Sequence, residues 1–340
     1  MHAISLKAPY LIFVGDEVRG TYVKTGAGLV QWRRELCVGQ LRLTADTADL
    51  GLPDMTIEAA VAAGVKSVII GTATIGGALP TSWQATLTAA AAAGLDIVAG
   101  LHTRLADNPA LAAAAADSGA RLVDIRVPPA ELPVGTGKKR TGMRLLTVGT
   151  DCALGKKYTA LQLEKDMRSA GLDVDFRASG QTGIMIAGQG IPLDAVVSDF
   201  LSGAAELLSP DNSPGHWDVI EGQGGIFHPA YAPVSHGLLL GSQPDAFVVC
   251  HEARREQMSG WEHYPVPAIE DVIARTVAIG SLTNPNIRCV GISINTSTIP
   301  ATGRGDYLAE LAGRYGLPCV DPLVEGTAAI VDHLLPQFRA

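Results

Sequence analysis

Several things are scarce in this chain. Its N-terminal stretch "MHAISLKAPYLIFVGDEVRG" has one short apolar run broken by charge, and no later run is long and apolar enough to span a bilayer. The sequence therefore reads as neither secretory nor membrane-spanning. There are five cysteines, an odd number, and no CxxC spacing. That pattern predicts reduced thiols in a cytoplasmic protein. No basic tract interrupts a net charge of -8, so a broad nucleic-acid-binding face is not expected. The eight histidines show no HExxH-like spacing, and a dedicated metal site is not expected. GxGxxG does not follow the first strand-like run, which reads "VGDEVRG". A dinucleotide cofactor has little support on that ground.

Glycine and apolar residues are plentiful instead: 38 glycines and 47% hydrophobic residues in 340 positions. These suit α/β folds with tight strand-to-helix turns. Strand-like runs at residues 10–16, 67–73, 96–102 and 121–127 alternate with Ala-rich helical runs. A second series follows at residues 144–150, 173–178, 217–223, 245–252 and 288–296. Residues 193–208 have a helical period, whereas "YVKTGAGLVQWRR" and "GTATIGG" read as loops. Between the two series, residues 127–143 hold three prolines and three glycines without an apolar period, as a linker would. The expected fold is thus α/β in two domains. A Rossmann-like parallel sheet occupies residues 1–140 with the linker, and a P-loop NTPase-like parallel sheet occupies residues 141–340.

The second series opens on "TVGTDCALGKKYTALQ". A strand ends, a glycine-bearing turn follows, and a helix begins. Unpaired N–H groups and the positive end of the helix dipole make that position an anion site. The expected phosphate contacts come from Gly149, Thr150, Asp151, Cys152, Gly155, Lys156, Lys157 and Thr159. Lys156 supplies a point charge. Lys157 stands where NTP-hydrolysing loops carry a magnesium-binding hydroxyl. Further on, "VIEGQGGIFHP" carries Glu221 at the end of an apolar run, then Gly222, Gly224 and Gly225. An acid there can hold a metal, orient water or act as a base.

"GTDCALGKK" followed by "EGQGG" is similar to the dethiobiotin-synthetase branch of phosphate-loop proteins. The chain resembles more closely a family that joins an N-terminal Rossmann-like domain to a C-terminal P-loop domain. That family includes the DgcN-type D-glutamate N-acetyltransferases. "GLPD", "GTDCALGKK", "ASGQTGIMIAG", "EGQGGIFHPAY" and "QPDAFVVCHEARR" carry the resemblance along the whole chain. It implies transfer of an acetyl group from acetyl-CoA, as cosubstrate, to the amino group of D-glutamate or a related D-amino acid. Lys157 would then suit a polyphosphate ligand, such as coenzyme A, that is bound and not cleaved. The alternative is a Mg-ATP-dependent ligase or kinase of the dethiobiotin-synthetase type, with Thr150 or Asp151 helping to hold the metal.

Acetyl transfer to an amino acid needs carboxylate binders and a base. Arg177, Ser179, Gln181 and Thr182 around "RASGQTGI" are the expected substrate contacts, with Arg254 and its neighbour Arg255 as rival cations. Glu221 is the first candidate base, with His228 and Asp199 next and His251 read more readily as a structural histidine. The expected partner is a small-molecule substrate, with no nucleic acid and no membrane, in a homo-oligomer.

Overall fold

The computed structural model describes residues 4–338. They form two compact units, each built on its own sheet. Residues 4–128 and 181–195 make one unit, and residues 129–180 and 196–338 the other.

The first unit is built on five parallel strands in the order β2-β1-β3-β4-β5. These are β1 (Tyr10–Gly15), β2 (Cys37–Arg42), β3 (Ser67–Ile70), β4 (Asp96–Ala99) and β5 (Leu122–Asp124). Every residue of β1 is buried, as a central strand covered on both faces requires. Phe13 meets Trp83 edge-to-face with ring centroids 5.3 Å apart. Asp16, just past β1, accepts the Trp83 indole N–H at 2.7 Å, so the buried donor is satisfied.

The stretch "YVKTGAGLVQWRR" is a helix, Lys24–Trp32, and not the loop its glycines suggest. Gly26 serves close packing. A Cβ at Gly26 would lie 2.8 Å from Leu50 and 2.9 Å from Ile12, and the Gly26 N–H reaches the Gly71 carbonyl at 2.8 Å. Residues 181–195 complete this unit although they lie beyond the P-loop in sequence. Their helix, Gln181–Ala187, joins Thr182 Oγ1 to Thr25 Oγ1 at 3.0 Å.

The second unit has six parallel strands in the order β13-β12-β9-β6-β8-β7. They are β6 (Met143–Gly149), β7 (Val174–Arg177), β8 (Trp217–Ile220), β9 (Ala246–Glu252), β12 (Arg288–Asn295) and β13 (Cys319–Val320). A short antiparallel hairpin, β10 (Gln257–Met258) with β11 (Trp261–Pro265), follows β9. Strand β6 lies in the interior of the sheet, flanked by β8 and β9. Whatever follows Gly149 therefore leaves from the middle of the carboxyl edge, where open α/β sheets place their ligands.

The helical period over residues 193–208 resolves into less helix than expected. Single turns at Leu193–Ala195 and Ser198–Phe200 precede a helix confined to Leu201–Leu208. Val197, between the turns, is extended at φ -60° and ψ 135°, the backbone that β-branched side chains favour. No helix among the described residues is long and apolar enough to cross a membrane.

Candidate functional site

The P-loop turns through two left-handed residues, Ala153 at φ +55° and Gly155 at φ +104°. Helix Lys156–Ser169 starts directly after them, with no side chain capping its first N–H groups. Those groups and the dipole form the cradle. Lys156 is 7% exposed, and its ammonium donates to the Asp151 carbonyl at 2.8 Å. The cation is thereby folded back inside the loop. The Lys157 ammonium lies 4.3 Å from the Tyr158 ring centroid. Thr159 turns inward, with Oγ1 3.2 Å from the Gly155 carbonyl and 2.8 Å from Ser293 Oγ. Its hydroxyl serves packing and does not replace the one missing at position 157.

Asp151 is fully buried and braces the loop. Its Oδ1 accepts from Cys152 N at 2.6 Å, and its Oδ2 accepts from Arg255 Nη1 and Ser259 N, each at 2.9 Å. The same Arg255 nitrogen donates to the Cys152 carbonyl at 2.9 Å. Thr150 Oγ1 lies 2.9 Å from His251 Nδ1. Burial, aided by Arg255, pushes the His251 pKa below its ordinary 6.5.

The second motif is stitched to this loop. Glu221 follows β8, is 5% exposed, and its Oε2 accepts from Ser179 N and Gly180 N, each at 3.1 Å. Ser179 Oγ donates to the Glu221 carbonyl at 2.6 Å. The Gly222 N–H reaches Thr147 Oγ1 on β6 at 2.9 Å, and a Cβ at Gly222 would fall 1.7 Å from the Thr147 carbonyl oxygen. Only glycine fits there.

His228 lies against Tyr231 and Trp261, each ring centroid 4.7 Å away. Its Nδ1 accepts from Ala230 N at 3.2 Å and Tyr231 N at 3.3 Å. An accepting Nδ1 leaves the proton of the neutral ring on Nε2. Burial pushes the His228 pKa below 6.5, against the pull of Asp151 and with help from Lys156. Nε2 is 3.7 Å from Asp151 Oδ1 and makes no hydrogen bond among the described residues. Ligand atoms of Asp151, Cys152 and His228 lie within 4.8 Å of one another. In this tautomer, however, the imidazole contributes a donor, and neither a metal ligand nor a proton acceptor at Nε2.

Other expected residues are placed elsewhere. The Arg177 guanidinium, offered by its position to a substrate carboxylate, is 3% exposed and already paired. Its Nε donates to Asp218 at 2.6 Å, and its Nη2 lies 3.2 Å from Asp175. Asp218 also accepts from Ser209 Oγ at 2.5 Å and lies 3.1 Å from His216 Nε2, so this is a buried polar network. Arg254 is exposed, with a left-handed backbone at φ +62°. Asp199 is exposed in its single turn. Gln181 and Thr182 are buried in the five-stranded unit. There Gln181 meets Arg126, which no sequence pattern singled out. Ser259 and Trp261, which support Asp151 and His228, were missed as well. They sit on or beside a hairpin whose two-residue strand is too short to show a period.

Comparison with known proteins assigns both halves of the chain. Residues 38–128 match the Rossmann-like domain described as DUF1611_N, and residues 133–331 match the P-loop domain described as DUF1611_C, both domains of unknown function. Two curated relatives are named D-glutamate N-acetyltransferase. One, from a Pseudoalteromonas species, is 46% identical over 97% of this chain and 100% of its own length. The other, from Tritonibacter scottomollicae, is 44% identical over 97% of this chain and 99% of its own length. A crystal structure of a DUF1611 family protein from Anabaena variabilis superposes with a TM-score of 0.88 at 31% identity, covering 97% of this chain and 100% of that one.

Proposed function

The chain belongs to the DUF1611 family, and from that membership we propose that it is a D-glutamate N-acetyltransferase using acetyl-CoA. The observation that carries the reading is the P-loop itself. It encloses the Lys156 ammonium at a helix start, and at the next position it has a lysine in place of a metal-binding hydroxyl. Such a loop binds phosphates through N–H groups and cations without assembling a hydrolytic magnesium site. Coenzyme A offers it a pyrophosphate and a further phosphate monoester.

In the reaction, the amine nitrogen of D-glutamate attacks the thioester carbonyl carbon. A C–N bond forms, the C–S bond breaks, and coenzyme A leaves as a thiolate that takes up a proton. The ammonium of the acceptor must first lose a proton, and Glu221 is the carboxylate that takes it in this proposal. Its Oε2 is fixed in direction by the Ser179 and Gly180 N–H groups.

The test is thiol release from acetyl-CoA with D-glutamate, with L-glutamate and with no acceptor, in the absence of ATP and added magnesium. Release with D-glutamate alone is expected. No release with any acceptor, together with ADP formation once Mg-ATP is supplied, would move the chain to the ligase class.

A further inference from the structure

The five-stranded unit holds a partly buried arginine, Arg126, that the P-loop chemistry leaves unused. Arg126 follows β5 at the carboxyl edge of its sheet, the edge that carries ligands in open α/β folds. Its Nε donates to the Gly100 carbonyl at 2.8 Å and to Gln181 Oε1 at 3.2 Å. A Cβ at Gly100 would lie 2.0 Å from Gln181 Oε1, so the glutamine amide fills the space of the missing side chain and is clamped there. The Arg126 Nη1 donates to His102 Nε2 at 2.5 Å and to Asp194 Oδ2. Partial burial, reinforced by the guanidinium and opposed by Asp194, pushes the His102 pKa below 6.5.

These contacts hold the fork along one side. Nη2 makes no hydrogen bond among the described residues, and the Arg126 side chain is 17% exposed. Asp194 comes from the single turn Leu193–Ala195, and its carboxylate has Arg126 as its one partner among the described residues. A carboxylate held by one contact on a short turn exchanges readily for another that engages both Nη groups. Arginine is suited to this role because its planar fork is already oriented and stays charged.

We propose that Arg126 binds a carboxylate of the amino-acid acceptor, and that Asp194 is an internal carboxylate which the substrate displaces. The class of ligand, an amino dicarboxylate, rests on the acyltransferase reading above.

The experiment measures D-glutamate and acetyl-CoA KM values for Arg126→Ala, Arg126→Lys and Asp194→Asn. Arg126→Lys keeps the charge and loses the fork, and it guards against an alanine variant that fails to fold. Both arginine variants are expected to raise the D-glutamate KM about tenfold or more, as loss of a charge-assisted hydrogen bond does, with the acetyl-CoA KM unchanged. Asp194→Asn is expected to lower the D-glutamate KM severalfold. A merely structural ion pair would cost thermal stability in all three variants without moving KM in opposite directions. A D-glutamate KM within about twofold of wild type in Arg126→Lys would overturn the assignment. Glutarate, which has two carboxylates and no amine, keeps the test independent of turnover. It should raise the melting temperature of the wild-type chain and not that of Arg126→Lys. If the wild-type chain acetylates no acceptor, the acyltransferase reading fails and the glutarate shift still decides Arg126: a shift retained in Arg126→Lys overturns the proposal.

Discussion

The Lys156 ammonium sits inside a loop whose other polar atoms are mostly backbone. Lys156→Ala removes that charge and leaves the Asp151 carbonyl without its donor. The acetyl-CoA KM should rise about 10- to 100-fold, the range for a hydrogen bond to a charged group, while the D-glutamate KM stays within experimental error. Steady-state kinetics with each substrate varied in turn checks this. Glu221→Gln keeps an oxygen that can accept from Ser179 N and Gly180 N, so the turn at residues 178–180 should survive. With the proton acceptor gone, kcat should fall on the order of 10²- to 10⁴-fold at an unchanged acetyl-CoA KM. An unaltered kcat would reduce Glu221 to a brace. Both positions can be singled out without a fold: Lys156 follows the glycine turn after a strand-like run, and Glu221 closes an apolar run beside glycines. Arg177 was misleading because its partner Asp218 lies 41 positions away on a neighbouring strand. Nothing near position 177 announces a buried acid. Arg126 stayed hidden for the converse reason, because Gln181 and Asp194 reach it only once a distant segment has joined the sheet.

Among the elements, the parallel strands were easy to read because continuous apolar runs bounded by glycine have few other uses. Glycines inside helices were harder. In Lys24–Trp32 they look like loop residues, yet Gly26 lets the helix meet Gly71 backbone-to-backbone and the Ile12 side chain of β1. The hairpin of β10 and β11 was invisible, since two residues cannot display a period. The same packing logic makes Gly222 sensitive. A methyl group 1.7 Å from the Thr147 carbonyl oxygen can be relieved only by moving β6 away from β8. Gly222→Ala should cost about 3 kcal/mol of stability, the upper range for overpacking a tight core site, and should weaken acetyl-CoA binding with it. Chemical denaturation, read beside the acetyl-CoA KM, tests both effects. A stable variant with normal binding would show that the two strands can part without disturbing the loop.

At the scale of the whole molecule, His228 and His251 both titrate below 6.5 in the folded chain because burial disfavours their charged forms. Below pH 6.5 the unfolded chain takes protons that the folded chain refuses. Stability is therefore fully present above that pH and declines as pH falls toward the folded-state values. Each group contributes at most about 1.4 kcal/mol per pH unit to the slope. Denaturation series between pH 8 and about 5.5 should show the decline, and His251→Gln should flatten it. An unchanged slope in that variant would remove His251 from the account.

The return of residues 181–195 to the first unit has a consequence for how the protein is made. Synthesis runs from the N-terminus, so the ribosome finishes the five strands well before it reaches the helix that packs beside Lys24–Trp32 and carries Gln181. At roughly 5–20 residues per second, the 67 positions from 128 to 195 take several seconds. Through that interval the nascent sheet waits with part of its surface bare, open to chaperones or to a neighbouring copy on the same message. A pause engineered between codons 128 and 181 should lower soluble yield, and one placed late enough for residues 181–195 to have left the ribosomal exit tunnel should not.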